Sequence, residues 1–254
     1  MERHAPTQTR LIEYPESDGR PMGESDAHRD EMKNYAIEVL QDHFAADAMV
    51  YVSGNNFLYF TEGVPADTVS PDAYVVKGVP RRQRNVYKVW EEGGRVPCFA
   101  LEVTSKSTRS EDLGPKMSKY RDDLKVPEYF IFDLYAEWVP ERLRGGRLAG
   151  ETYLPVAANP AGRLVSMELG LELAILDGHL RFFRPGEAEP LPTRMERALL
   201  AEQRVQTAEQ RVQSAEQRAQ SAEQRVQTAE QRALAAEADA AQLRSELDRL
   251  RRQG

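Results

Sequence analysis

A seven-residue unit, AEQRVQT, repeats with small changes from Ala201 almost to the end of the chain. A period of seven puts the same residue types on one stripe of an α-helix. Sustained over this many heptads, it predicts a left-handed coiled coil. The 57 residues from Ala198 to Gly254 contain no aromatic residue and no proline, and their only glycine is the last residue. Nine arginines there balance seven glutamates and two aspartates, so the whole net charge of −7 lies ahead of the repeat.

With Val205 at position a, the a positions are Val205, Val212, Ala219, Val226, Ala233, Ala240 and Leu247. Position d holds Ala208, Ala215, Ala222, Ala229, Ala236, Leu243 and Leu250. Arg204, Arg211, Arg218 and Arg225 fall at g, and Glu209, Glu216, Glu223 and Glu230 at e. A parallel pair sets each g against the next e of its partner, which joins opposite charges. An antiparallel pair of these heptads opposes like to like. The charges therefore favour a parallel homodimer through residues 198–253. The seam is rich in alanine and buries little per layer, and it is firmest at Leu243, Leu247 and Leu250. A single solvated helix held by alanine propensity is the other reading. Either helix would be roughly 84 Å long at 1.5 Å per residue. It carries no catalytic chemistry and serves as a spacer or an oligomerisation handle.

The roughly 180 residues ahead of the tail suffice for one core. All ten tyrosines, both tryptophans and all eight phenylalanines lie there. A nucleic-acid coat protein, basic all over, is disfavoured by the acidic balance. No apolar run approaches the ~20 residues of a membrane helix. The N-terminal sequence has no apolar core of the kind a secretory signal needs. One cysteine, Cys98, can form neither an internal disulfide nor a cysteine zinc site. The expectation is a cytoplasmic protein with no membrane partner.

Residues 1–22 read as irregular. A helix is expected from Ser25, a good N-cap, to about residue 44, with Met32, Ala36, Val39, Leu40 and Phe44 at helical spacing. Short strands follow at Met49–Ser53 and Asn56–Thr61, with Gly54 and Asn55 as their turn. Further strands are expected at Asp72–Lys77, Phe99–Thr104 and Glu128–Leu134. A helical segment is expected over Arg109–Val126, capped by Ser110, with Pro115 in a first turn after a break at Gly114. Strands at Tyr153–Val156, Leu164–Met167, Leu171–Leu176 and Leu180–Phe183 complete the body, the last two joined at Asp177–Gly178. This order predicts an α/β (α+β) domain over 23–192.

Two stretches carry candidate chemistry. In Ser70-Pro71-Asp72-Ala73-Tyr74-Val75-Val76 an aspartate opens an apolar strand. In Phe99-Ala100-Leu101-Glu102-Val103-Thr104 an acid sits inside a strand that otherwise reads as buried. A buried carboxylate is costly unless it is paired or binds a cation. Two acids on neighbouring strand ends offer hard oxygen ligands suited to Mg2+ or Mn2+, and the backbone carbonyl of Val103 can join them. Asp72 as a turn cap, and Glu102 as half of a buried ion pair with an arginine, are the structural alternatives. A basic run of Lys77, Arg81, Arg82, Arg84 and Lys88, interleaved with Tyr87 and Trp90, could grip phosphates. It could equally be a solvated hairpin with its aromatics folded inward. No glycine-rich phosphate loop, nucleophile elbow or zinc spacing of histidines is present, which disfavours a nucleoside triphosphatase, a serine hydrolase or a zinc protein.

The body resembles the Uma-two family of restriction endonucleases, a branch of the P-D-(D/E)-x-K nuclease superfamily. The resemblance covers roughly residues 23–192. It rests on Glu24-Ser25-Asp26-Ala27-His28, Ser70-Pro71-Asp72, Glu102-Val103-Thr104-Ser105-Lys106-Ser107-Thr108, Asp112 with Lys116 and Tyr120, Val126-Pro127-Glu128-Tyr129, and Leu169-Gly170-Leu171. It implies a restriction-endonuclease-like core, with a central mixed sheet flanked by helices. It also implies a metal-dependent endonuclease acting on DNA, with Mg2+ or Mn2+ held by Asp72, Glu102 and the Val103 carbonyl, and with Glu24 as an accessory acid. Glu24 as a helix N-terminal acid satisfying the dipole is the plainer reading. The superfamily lysine belongs two residues after Glu102, where this chain has Thr104. Lys116 on the following helix is the expected replacement and Lys106 the runner-up, and a surface pair with Asp112 is the plainer reading of Lys116. His28 and Lys106 join Arg81, Arg82, Arg84 and Lys88 as candidate substrate contacts. A nuclease-like domain without turnover, assembled on a partner by its coiled coil, is the alternative function.

Overall fold

The structure, a computed structural model, describes residues 12–16, 27, 30–104 and 109–253. The chain divides into two units, Met1–Arg194 and Met195–Gly254. In chain order the first unit's strands are β1 (Val50–Ser53), β2 (Leu58–Tyr59), β3 (Thr68–Val69), β4 (Ala73–Lys77), β5 (Tyr87–Lys88) and β6 (Phe99–Thr104). β7 (Glu128–Asp133), β8 (Leu143–Ala149), β9 (Thr152–Pro155), β10 (Leu164–Ser166), β11 (Leu171–Leu176) and β12 (His179–Phe183) follow. Helix α1 joins a wide π-helical stretch, Asp30–Ile37, to an α-helical one, Glu38–His43. Helix α2, residues 109–123, alternates α-helical and π-helical turns. The expected mixed α+β class is what the chain adopts, with a central six-stranded sheet of order β1-β4-β6-β7-β8-β9.

All six residues of β6, FALEVT, are buried. Side chains alternate between the two faces of a strand. Phe99, Leu101 and Val103 enter one core, with Tyr35, Val39 and Leu40 of α1 and Leu173 and Phe182 of the β10-β11-β12 sheet. Ala100 faces the other core, with Tyr120 of α2 and Leu124 just past its end. Both faces of the sheet are therefore covered, which is why β6 reads as an unbroken apolar run interrupted only by Glu102 and Thr104. β6 pairs parallel with β7 and antiparallel with β4.

Two local expectations are corrected, and one strand appears where none was expected. β1 and β2 do not form a hairpin: β1 pairs with β4, while β2 joins a separate β3-β2-β5 sheet. The Gly54–Asn55 bend packs instead on the chain ahead of β4, where the Asn55 N–H donates to the Pro71 carbonyl at 2.8 Å. A Cβ on Gly54 would lie 1.9 Å from the Asp72 carbonyl oxygen and 2.7 Å from Ile37 Cδ1. Gly54→Ala is therefore expected to cost several kcal/mol, about the upper range for single substitutions, because backbone must move. Thermal unfolding reads this out, and an unchanged Tm would refute the close approach. Second, Ser110 does not cap α2 and Gly114 does not break it. Among the described residues the helix already holds Arg109, ahead of Ser110, and it carries Pro115 inside the π-helical turn Asp112–Lys116. The wider turn relieves the clash between a proline ring and the preceding turn. The sequence LRGGRLA, to which no element was assigned above, is strand β8, although propensity disfavours it. Gly145 is needed there because a Cβ would sit 2.5 Å from the Phe130 ring.

Other expectations hold. Asp177–Gly178 turns β11 into β12, with Leu176 paired to His179. Glu128, at the head of β7, is a buried hub that accepts Arg147, Ser166 Oγ at 2.5 Å and the Met167 N–H at 3.0 Å. It ties the central sheet to the end of β10.

The second unit lies in one continuous helix, α3 (Arg194–Gln253), whose 60 residues start directly after Pro192 and Thr193. Among the described residues no helix is long and apolar enough to cross a membrane.

Candidate active site

The alternation that orders the cores also orders the acids. Ala73 and Val75 of β4 point into the α1 core and Tyr74 and Val76 into the α2 core. Asp72 precedes Ala73, so its parity is that of the α2 face, and Glu102 shares that parity on β6. The register Ala73↔Leu101 sets Asp72 one step beyond the ladder, opposite Glu102. Directly opposite residues hold their Cβ atoms roughly 5 Å apart. Asp72 is held in place by the Val103 N–H, which donates to its Oδ2 at 2.7 Å.

Helix α2 lays three polar side chains over this face. Lys116 Nζ lies 3.0 Å from Glu102 Oε2 and 3.1 Å from Asp112 Oδ1. The Tyr120 hydroxyl donates to Glu102 Oε1 at 2.7 Å. Tyr129 of β7 donates to the Asp112 backbone carbonyl at 2.8 Å, fixing that turn of the helix. Glu102 is fully buried, and Asp72 keeps 9% of its surface exposed. The 15% exposure of the Lys116 side chain completes the rim.

Among the described residues three carboxylates thus face one ammonium, an excess of two negative charges if all are ionised. Burial pushes the Glu102 carboxyl well above the usual carboxylate range; Lys116 opposes this, and the charges of Asp72 and Asp112 add to it. Burial pushes the Lys116 ammonium toward losing its proton, but Glu102, Asp112 and Asp72 outweigh it and hold the group above its ordinary value, charged. The Tyr120 phenol is raised well above its ordinary value, chiefly by burial and then by the Glu102 charge, so it remains a donor.

This set suits a hard divalent cation on two counts. Its donors are carboxylate oxygens, and a dication would cancel the surplus charge. Among the described residues no three acidic, imidazole or thiol side chains are gathered as a complete ligand group. Mg2+ accepts such a partial set, since it is bound by one or two carboxylates and retains waters.

The structure therefore brings Asp72, Glu102 and Lys116 together. Glu24, His28 and Lys106 lie outside the described residues. Thr104 is buried, and its hydroxyl has no hydrogen-bond partner among the described residues.

The basic run is gathered elsewhere, on its own acids. Arg84 meets both oxygens of Glu92 at 2.8 and 2.9 Å, and its guanidinium lies 4.3 Å from the centre of the Tyr51 ring. Arg84 holds the Glu92 carboxyl below its usual range. Arg82 also binds Glu92, Lys88 binds Glu91, and Arg81 donates to the Ala45 carbonyl. Tyr87 is fully buried, as the inward-folded reading requires.

The sequence names Asp112 and Tyr120 only as motif neighbours one helical turn from Lys116, and Asp112 as its surface partner, without giving either a role in the site. That spacing was the available signal. Nothing in the sequence marks Gly54 as the support beneath Asp72.

The family model of Uma2, described as "Putative restriction endonuclease", matches residues 4–177. Among solved structures, similarity is found to a crystal structure from Anabaena variabilis ATCC 29413, described as a putative nuclease belonging to DUF820. The identity is 13% and the TM-score 0.41, over 59% of this chain and 76% of that chain. No curated protein matches.

Proposed function

The chain belongs to the Uma2 family, and on that premise we propose that its first unit is a metal-dependent endonuclease that hydrolyses phosphodiester bonds of DNA. The observation that carries this reading is the buried pairing of Asp72 and Glu102 on one sheet face, with the Lys116 ammonium between Glu102 and Asp112. Asp72, Glu102 and the Val103 carbonyl would hold Mg2+ or Mn2+. Such an ion supplies Lewis acidity and a water acidified enough to attack phosphorus. Lys116 keeps its proton among the carboxylates and offsets negative charge that builds on a phosphate in the transition state. Tyr120 orients Glu102 by occupying one of its oxygens.

A nuclease-like binding domain without turnover is the second reading. It is favoured by Thr104 standing where the superfamily lysine is expected. One experiment separates the two. Full-length protein is incubated with supercoiled plasmid in Mg2+, in Mn2+ and in chelator, with calorimetric titration of each metal alongside. Nicking in metal and none in chelator supports the enzyme. Metal binding without nicking favours the second reading, and neither binding nor nicking overturns the metal site itself.

A further inference from the structure

The tail raises a question that the nuclease chemistry leaves untouched. Five nearly identical heptads match one another at any offset of seven residues, so by themselves they cannot choose a register. The last heptads differ, and their charges differ in a particular way. From Arg204 to Arg232 the g positions are basic, and from Glu209 to Glu237 the e positions are acidic. Beyond that point both signs reverse: Asp239 and Glu246 occupy g, while Arg244 and Arg251 occupy e.

We propose that α3 is a docking surface for a second copy of this chain set parallel to it, and that the charge reversal after Glu237 locks that parallel pair in register. In that arrangement each g meets the partner's e five residues on. Arg232 meets the partner's Glu237, Asp239 meets the partner's Arg244, and Glu246 meets the partner's Arg251. Every g–e contact along the repeat joins opposite charges. Sliding one copy forward by a heptad sets Arg232 against the partner's Arg244. Sliding it back sets Asp239 against the partner's Glu237. An antiparallel pair in full overlap is mixed: Arg218 meets the partner's Arg232 and Glu223 the partner's Glu237, while Arg204 meets the partner's Glu246 and Glu209 the partner's Arg251, so only the parallel pair joins opposite charges at every flanking contact.

The apolar face fits the same occupant. α3 runs unbroken through the whole repeat. Its seam residues Val205, Val212, Val226, Leu243 and Leu247 are each more than half exposed. The hydroxyls of Thr207, Ser214, Ser221 and Thr228, at position c, are turned back onto carbonyls four residues earlier and stay off the seam. An alanine-rich seam gives limited burial per layer, so the flanking charges weigh more in the choice of partner and register than they do in a leucine seam.

The test uses the full chain. Sedimentation equilibrium should give twice the chain mass of 28.8 kDa. Arg244→Glu with Arg251→Glu makes the last two g–e contacts repulsive and should weaken the dimer roughly a hundredfold, an estimate from four reversed surface pairs. Adding Asp239→Arg and Glu246→Arg restores opposite charges and should restore the dimer, now with uniform heptads and no lock. Register is read by disulfide cross-linking in a Cys98→Ser background. Ala222→Cys should link to itself. A mixture of Ala222→Cys and Ala229→Cys chains should form no mixed link with the native charges, but should form it in the four-charge variant. A single-chain mass, a dimer whose Ala222→Cys chains do not link, or mixed links with native charges would each overturn the proposal.

Discussion

Asp72→Asn is expected to abolish metal-dependent nicking, by on the order of a thousandfold, while leaving the fold intact. Asparagine keeps the shape and can still accept from the Val103 N–H, now 2.7 Å from Asp72 Oδ2. What it removes is one of the two carboxyl groups set opposite each other at the head of β4 and on β6. A catalytic metal supplies several kcal/mol of transition-state stabilisation, and each 1.36 kcal/mol is about a factor of ten in rate. Calorimetry on the same variant should show metal affinity falling with activity. Nicking by Asp72→Asn, or by the Asp72→Ala, Glu102→Ala double variant, at the wild-type rate would remove the site from the reaction.

Lys116→Met is expected to give the largest loss of stability of any change at the site. Its ammonium lies 3.0 Å from Glu102 Oε2 and 3.1 Å from Asp112 Oδ1, and Glu102 and Asp112 are almost wholly buried. Removing one member of a buried ion pair costs about 3–5 kcal/mol, because the remaining charge is stranded. For a unit of this size that lowers Tm by roughly 10 °C. The effect has a signature that simple packing damage lacks. Mg2+ should raise the Tm of Lys116→Met by more than that of wild type, since the cation takes over the charge that the ammonium neutralised. Lys116→Arg, which keeps the charge, should lose much less stability. If Lys116→Met melts with wild type, or if Mg2+ has no larger effect on it, Lys116 is not what balances these carboxylates.

Much of this site is legible in the chain itself. Glu102 announces itself as the one acid within FALEV, and period-two alternation sets Asp72 and Glu102 on matching faces of their strands. The i, i+4 spacing of Asp112, Lys116 and Tyr120 sets them on neighbouring turns of one helix. The heptads of α3 are equally local, since a helical period needs no distant partner to be recognised. Less legible were β8, where glycines contradict strand propensity, and the separation of β1 from β2, where Gly54 and Asn55 resemble a hairpin turn.

Sequence alone determined which residues alternate, which recur at helical spacing and where the charges reverse along the tail. Only the tertiary structure decided that Asp72 stands opposite Glu102, that α2 sets Lys116 and Tyr120 on the two oxygens of Glu102, and that Arg84 is spent on Glu92. The reason is physical. Side-chain direction follows from bonded geometry within a few residues, whereas partners 14 to 31 positions apart, as in Glu102–Lys116 and Asp72–Val103, meet only when two strands and a helix bury their apolar faces on one another.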